Sequence, residues 1–215
     1  MNLHEVVIID YGLGNLLSVQ RAIEHCGAKV LITADPKKIL LARRVVLPGV
    51  GAFANAMQSL HELNLIPVIH ELSERRTPLL GICLGMQLLF DESNEFGFTK
   101  GLGLISGRVI AIPNRTSAGL SQKIPHVGWN ELEVSNNDSK LRYHLLQDIS
   151  IGDAAYFVHS FMAIPKYSKD LIAHCFYGGH KIAALVAREN ITGCQFHPEK
   201  SGEIGLKILK RFCFD

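Results

Sequence analysis

The sequence predicts an α/β protein of three layers. A mostly parallel central sheet carries helices on both faces, and the C-terminal half adds an antiparallel element. Three observations predict this. Up to residue 90, short β-rich apolar runs alternate with stretches of helical period, the pattern of parallel strands linked by crossover helices. After residue 97 the apolar runs alternate with polar residues, and Gly178-Gly179 gives a hairpin signal. Between these regions a strand-like run meets a helical one at the tight turn Gly81-Ile82-Cys83-Leu84-Gly85.

The elements follow in order. Residues 5–10 read as a buried first strand, and the glycine-rich turn Tyr11-Gly12-Leu13-Gly14-Asn15 leads to a helix over 16–25 that ends at Gly27. Leu17 stands where a dinucleotide fingerprint needs its third glycine, so this is read as a plain βα turn. A second strand covers 29–33, Asp35-Pro36 opens a short helix, and residues 43–47 form a third strand. Pro48-Gly49-Val50-Gly51 ends that strand, either as a simple loop or as one whose N–H groups face a reacting carbonyl. Residues 52–74 read as helix interrupted near Pro67, followed from Thr77 by a short apolar strand, the tight turn at 81–85 and an apolar helix reaching Phe90. Further on, strands are expected at 101–112, 127–134, 155–161, 171–177 and 182–188, with a surface loop at 114–122 and a short helix at 141–146. No repeat or linker interrupts the chain, so residues 1–215 are expected to form one domain.

Composition narrows the function. A net charge of +2 on 215 residues gives no reason to expect nucleic acid or a membrane surface as partner. The five cysteines are scattered without ligand spacing, so neither a disulfide framework nor a metal is expected, and no cofactor is implied. With no signal-like segment and no membrane-length apolar run, a cytoplasmic location is expected.

Two stretches carry chemistry. A cysteine in the turn at residue 83 would sit at the top of a sheet and at a helix N-terminus, where free N–H groups favour a thiolate. The flanking glycines are expected to permit a strained backbone. A lone cysteine is as readily a small core hydrophobe, so the chain must also supply a base. Gln195-Phe196-His197-Pro198-Glu199 does so. Pro198 holds His197 extended, and residues two apart in an extended segment face the same way, which lets Glu199 orient the imidazole. Singly, His197 reads as a strand-end histidine and Glu199 as a helix N-terminal acid; together with Cys83 they read as a triad.

At these residues the chain resembles class I glutamine amidotransferases. The matches at residues 10–15, 48–53, 125–130 and 156–160 narrow the likeness to the glutaminase subunits of imidazole glycerol phosphate synthases. The resemblance implies that Cys83 attacks L-glutamine, that His197 and Glu199 complete the triad, and that the backbone of Val50 and Leu84 forms the oxyanion hole. It implies substrate-binding roles for Gly51, Gln87, Glu95, Ser160 and Phe161. It also implies a partner, a (β/α)8-barrel synthase subunit that receives the ammonia, and places Tyr11, Asn15, Trp129, Asn130 and Lys200 near that interface. On its own, Trp129 reads as core, Gln87 as an exposed helix residue and Glu95 as a charge near a helix end.

Three features depart from the family pattern. Phe161 stands where a tyrosine is common, Asn94 replaces an acid, and Phe96-Gly97-Phe98-Thr99 lengthens a loop. Histidine biosynthesis is the first reading, and ammonia supply for amidating a surface-polysaccharide sugar is the alternative. A non-catalytic module and a cysteine peptidase on a similar elbow are the rivals from other classes.

Overall fold

The first apolar runs become strands whose successive side chains enter opposite layers. In β1 (Val6–Ile9), Val6 and Ile8 join one core cluster while Val7 and Ile9 join another. The same division continues in β3 (Arg44–Leu47) and β4 (Leu79–Ile82): Val46, Leu80 and Ile82 face the first core, and Val45, Leu47 and Leu79 the second. A strand with two apolar faces must be covered twice. On the first face lie α1 (Leu16–His25) and the C-terminal helix α6 (Gly202–Phe214). On the second lie α2 (Pro36–Leu40), α3 (Phe53–Glu62) and α4 (Leu65–Glu74). The computed structural model describes residues 6–134, 144–150 and 152–215.

With β2 at Val30–Thr33, the central sheet runs β2-β1-β3-β4 and then β14 (Ile191–Cys194), all parallel neighbours. Beyond β14 it continues antiparallel through β13 (His180–Arg188), β12 (Leu171–Tyr177) and the short β9 (Glu133–Val134). Among the described residues there are two smaller sheets. One pairs β8 (His126–Glu131) with β10 (Ala154–His159). The other joins β5 (Phe90–Ser93), β6 (Thr99–Lys100), β7 (Ile105–Ala111) and β11 (Phe161–Pro165).

The fold class is as expected, while several boundaries are not. The break in the 52–74 helix falls at Asn64, which adopts φ 52°. Pro67 instead sits in the first turn of α4, where its missing N–H would have no partner in the helix. The helix after the elbow, α5, covers only Leu84–Leu88. Its closing carbonyls are captured from outside, by Leu102 N–H at Leu88 (2.8 Å) and by Leu104 and Ile105 N–H at Leu89 (2.8 and 2.9 Å). Phe90 is therefore the first residue of a strand. The expected strand at 127–134 divides at Leu132, and that at 155–161 turns a corner at Ser160. Residue 5 and residues 141–143 of the expected elements lie outside the described residues; 144–146 form a 3-10 turn.

The topology gathers the C-terminal ends of β1, β3, β4 and β14 on one edge. They lead into Tyr11, Pro48, Cys83 and His197 respectively, and such an edge is where open α/β sheets place their sites.

Candidate active site

Cys83 has φ 53° and ψ −109°, a region that L-residues rarely occupy. The strain therefore sits on the cysteine itself. Its glycine neighbours permit this turn by leaving space that a side chain would fill. A Cβ on Gly81 would lie 2.7 Å from the Gly85 carbonyl oxygen, and one on Gly85 would lie 1.9 Å from that of Leu47. The elbow is pinned by its own N–H, which donates to the Cys194 carbonyl at 2.8 Å, while the Cys83 carbonyl accepts from Gln87 N–H at 3.2 Å. Cys83 remains 7% exposed, at the floor of a cleft of about 430 Å³.

His197 follows β14 and reaches the same floor. Its Nδ1 lies 2.8 Å from Glu199 Oε1, with both side chains almost wholly buried. The segment is braced by Ser201, whose hydroxyl donates to the His197 carbonyl (2.7 Å) and accepts from Tyr156 N–H (2.9 Å). Burial works against a charged imidazole here. The Cys83 sulfur and the Glu199 carboxylate, both hydrogen-bonded to the ring, outweigh that penalty and raise its pKa to about 10. The expected orienter, base and nucleophile are thus brought together.

The loop after β3 forms one wall. Val50 is 42% exposed and Gly51 has φ 101°, and both line the cleft with Leu84, the first residue of α5. Tyr11, expected near a partner surface, is instead buried at 2% exposure beneath this loop. Its hydroxyl donates to the Pro48 carbonyl at 2.7 Å, and burial holds its pKa well above the usual phenol value. A Cβ on Gly49 would come within 2.5 Å of that hydroxyl, so this residue lets the loop lie against Tyr11.

Gln87, Glu95, Ser160 and Phe161 also line the cleft. Gln87 is buried rather than an exposed helix residue, and both its N–H bonds are committed: to the Phe161 carbonyl (3.1 Å) and to Gln195 Oε1 (3.0 Å). Glu95 Oε2 accepts the N–H of Phe53, the first residue of α3, at 2.6 Å. That places a carboxylate at a helix N-terminus as well as in the cleft wall.

Sequence reasoning missed three buried residues. Gln195 directs Nε2 at the Cys83 sulfur, 3.7 Å away. His126 and His159 form a pair, with Nδ1 of the first 2.9 Å from Nε2 of the second, and His159 Nδ1 donates to the Phe161 carbonyl at 2.8 Å. Burial lowers the pKa of His159 to about 3 and also pushes His126 down. Gln195 stands in a motif already singled out. The histidine pair has no local signal, because it forms only when β8 pairs with β10, 33 residues apart.

The expected interface residues divide. Trp129 is surface, not core: it is 57% exposed, with its ring edge-to-face on Tyr156. Lys200 is exposed, and with Asn15 it lines the cleft mouth. Asn130 is tied inward, with its Oδ1 2.9 Å from His126 Nε2 and its Nδ2 donating to the Phe176 carbonyl (2.7 Å). Among the described residues there is no cluster of His, Cys, Asp and Glu suited to a metal ion, and no helix long and apolar enough to cross a membrane.

A buried Cys–His–Glu constellation on a strand-to-helix elbow, on this sheet, defines a class. The family model for class I glutamine amidotransferases matches residues 7–215, and the chain belongs to that family. Imidazole glycerol phosphate synthase subunit HisH 1 of Legionella pneumophila (strain Lens) is 47% identical over 207 residues, 96% of this chain and 97% of the relative. HisH of Geobacillus sp. (strain WCH70) is 49% identical over 205 residues, 95% and 94% of the two chains. Within the family this chain therefore groups with the HisH subunits, as its motifs had suggested. The fold is shared more widely. A crystal structure of a glutamine amidotransferase aligns with TM-score 0.70 at 16% identity, covering 93% of this chain and 94% of the other. PurLQS from Thermotoga maritima aligns at 0.67 with 18% identity, over 96% of each chain.

Proposed function

We propose that this chain is the glutaminase subunit of a cytoplasmic imidazole glycerol phosphate synthase, acting as a single domain over residues 1–215. It hydrolyses L-glutamine and passes ammonia to a (β/α)8-barrel subunit, which builds it into imidazole glycerol phosphate and aminoimidazole carboxamide ribotide in histidine biosynthesis. The observation that carries the reading is the convergence of Cys83 with the His197–Glu199 pair on one cleft floor.

The chemistry follows from the protonation state of that pair. With His197 held as imidazolium, Cys83 attacks the amide carbon as thiolate. The carbonyl electron pair moves to oxygen, which the N–H groups of Leu84 and Val50 stabilise once the Gly49–Val50 peptide faces it. His197 gives its proton to the departing nitrogen, and ammonia and a thioester result. The sulfur is now uncharged, so one of the two partners that raised the ring is lost. The imidazole then acts as base, takes a proton from water, and the hydroxide expels the thiolate to leave glutamate. One ring serves first as acid and then as base because its anionic neighbour comes and goes. Gln87, with both N–H bonds committed, offers its carbonyl oxygen to the substrate ammonium. Gly51, Glu95, Ser160 and Phe161 complete the pocket. Trp129, Asn15 and Lys200 face the partner, while Asn130 and Tyr11 support that face from within.

The test is Cys83→Ala. Glutamate release should vanish while the barrel subunit still co-purifies, and the wild-type chain should be slow alone and accelerate when the barrel and its nucleotide ligand are added. Glutamate release by the variant would overturn the mechanism, and full activity of the isolated chain would overturn its dependence on the barrel subunit.

A further inference from the structure

Gln195 is completely buried at the point where β14 ends, and its backbone N–H continues the pairing with β13 by donating to the Ala184 carbonyl at 2.9 Å. Its side chain does not face an apolar neighbour. It lies between the Gln87 amide and the Cys83 sulfur, and the orientation of both amides follows from the backbone. The Phe161 carbonyl can only accept, so the group of Gln87 that faces it at 3.1 Å must be the NH2. The second N–H on the same nitrogen points to Gln195 at 3.0 Å and must meet an oxygen there. Gln195 therefore turns its own NH2 away from Gln87, toward Cys83 Sγ at 3.7 Å. Reversing either amide would set a carbonyl against a carbonyl, or two NH2 groups against each other, in a site without room for water between them. The Phe161 carbonyl is itself fixed, since it also accepts from His159 Nδ1 at 2.8 Å.

We propose that Gln195 is a further catalytic residue, an N–H donor to the sulfur that favours the attacking thiolate and returns it after each turnover. Hydrogen bonds from a neutral donor to an anion are stronger than those between neutral partners, so this contact stabilises thiolate over thiol and over thioester. It complements His197, which reaches the same sulfur as a charged partner. During the first half-reaction His197 gives up its proton and its charge, while the amide donor of Gln195 is unchanged. That leaves it to receive the sulfur when the thioester is hydrolysed. Gln87 and Phe161 act through Gln195 as positioning residues, in addition to their contribution to the pocket.

The inference rests on Cys83 being the nucleophile, and the experiment separates the two ideas. The probe is iodoacetamide, with alkylation of the Cys83 peptide of the full-length chain followed by mass spectrometry across pH. The variants are Gln195→Glu and Gln195→Met. Glutamate keeps an acceptor for Gln87 but presents a carboxylate oxygen to the sulfur; methionine keeps the length and removes the donor. Near-UV circular dichroism identifies the variants that keep native packing, and those are read. We expect the pH midpoint of alkylation to move upward, by a unit or more for Gln195→Glu and less for Gln195→Met, with the high-pH plateau rate retained. One unit corresponds to about a tenfold slower reaction below the midpoint. An unshifted midpoint in a natively packed variant overturns the role of Gln195, as does a fall in plateau rate alone, which is what a merely structural amide would give. If both variants lose native packing, the same measurement on Gln87→Met decides, because freeing the Gln195 amide must then raise the midpoint. A wild-type chain whose Cys83 shows no enhanced reactivity would instead overturn the assignment of the nucleophile.

Discussion

Replacing Gly85 by alanine sets two quantities against each other. Gly85 lies within α5 and does not require a positive φ, so helix propensity alone predicts that alanine stabilises the chain by about 1 kcal/mol. Space predicts the opposite. The new Cβ would stand 1.9 Å from the Leu47 carbonyl oxygen, about 1.1 Å inside the 3.0 Å that real Cβ atoms respect. Neither side yields easily, because the oxygen belongs to the end of β3 and the Cβ to the backbone of α5. Overpacking of this kind costs roughly 1–3 kcal/mol and more where the obstacle is backbone, so the clash wins and a net loss of about 2–3 kcal/mol is expected. Urea denaturation at neutral pH measures it: with a slope of about 2 kcal/mol per molar, the midpoint should fall by about 1 M or more. The displacement also widens the gap between Leu84 and the Val50 loop, so glutaminase activity should fall in molecules that remain folded. A Gly85→Ala variant as stable as wild type, or more so, would show that β3 and α5 are not locked by this approach, and the reasoning would fail.

Three further outcomes follow from the same contacts. Tyr11→Phe leaves the buried Pro48 carbonyl without its donor and should cost about 1–3 kcal/mol in thermal or urea unfolding, with a fall in glutaminase rate as the Val50 loop loosens; unchanged values in both assays would remove its role as a strut. His126, His144, His159 and His174 are all depressed by burial, so the unfolded chain binds protons near pH 6.5 that the folded chain refuses. Stability is therefore present above pH 6.5 and lost on acidification, by up to about 1.4 kcal/mol per pH unit for His159 alone. His197, raised in the folded chain, works the other way, but its contribution grows only while the unfolded ring completes its protonation just below pH 6.5 and offsets a small part of the loss. A flat melting temperature between pH 6.5 and pH 5 would contradict this. Trp129→Ala should leave the melting temperature of the isolated chain within about 1 °C, since the ring is 57% exposed, yet weaken binding of the barrel subunit at least tenfold in calorimetry; loss of stability with unchanged binding would return Trp129 to the core.

The legible parts of this molecule are those governed by a local period or a local turn. Alternation along 6–9 and 44–47 is enough to assign two-faced strands, and the elbow at Cys83 and the His197-Pro198-Glu199 spacing are readable because each chemistry is contained within a few residues. What escaped reading depends on partners far away in sequence. The apolar run from Leu84 to Phe90 fits a helix equally well, and only the amides of residues 102–105 decide that it becomes a strand at Phe90. The resemblance sets Tyr11 near the partner, but nothing in the local turn shows that its hydroxyl reaches the Pro48 carbonyl 37 residues away. His126 and His159 meet only because β8 and β10 pair in register, His126 opposite His159.

The departures from the family pattern show the same point at the rim of the site. Phe161 and the lengthened loop at 96–99 look unrelated in sequence, one losing a hydroxyl and the other adding residues. In the structure they are in contact: the Phe96 ring meets Phe161 edge-to-face, with centroids 6.4 Å apart. Phe96 is otherwise 92% exposed and adopts φ 51°, so the backbone accepts strain to present a large apolar ring at the mouth of the cleft. An aromatic pair contributes at most about 0.5–1.5 kcal/mol beyond burial, which offsets only part of the roughly 1–3 kcal/mol that such a backbone costs. A tyrosine at 161 would bring a hydroxyl to this apolar contact, and a shorter loop would leave the Phe161 ring without its partner. The two departures therefore meet as one apolar contact at the rim, while the Phe161 backbone carbonyl, independently of its ring, holds Gln87 and His159.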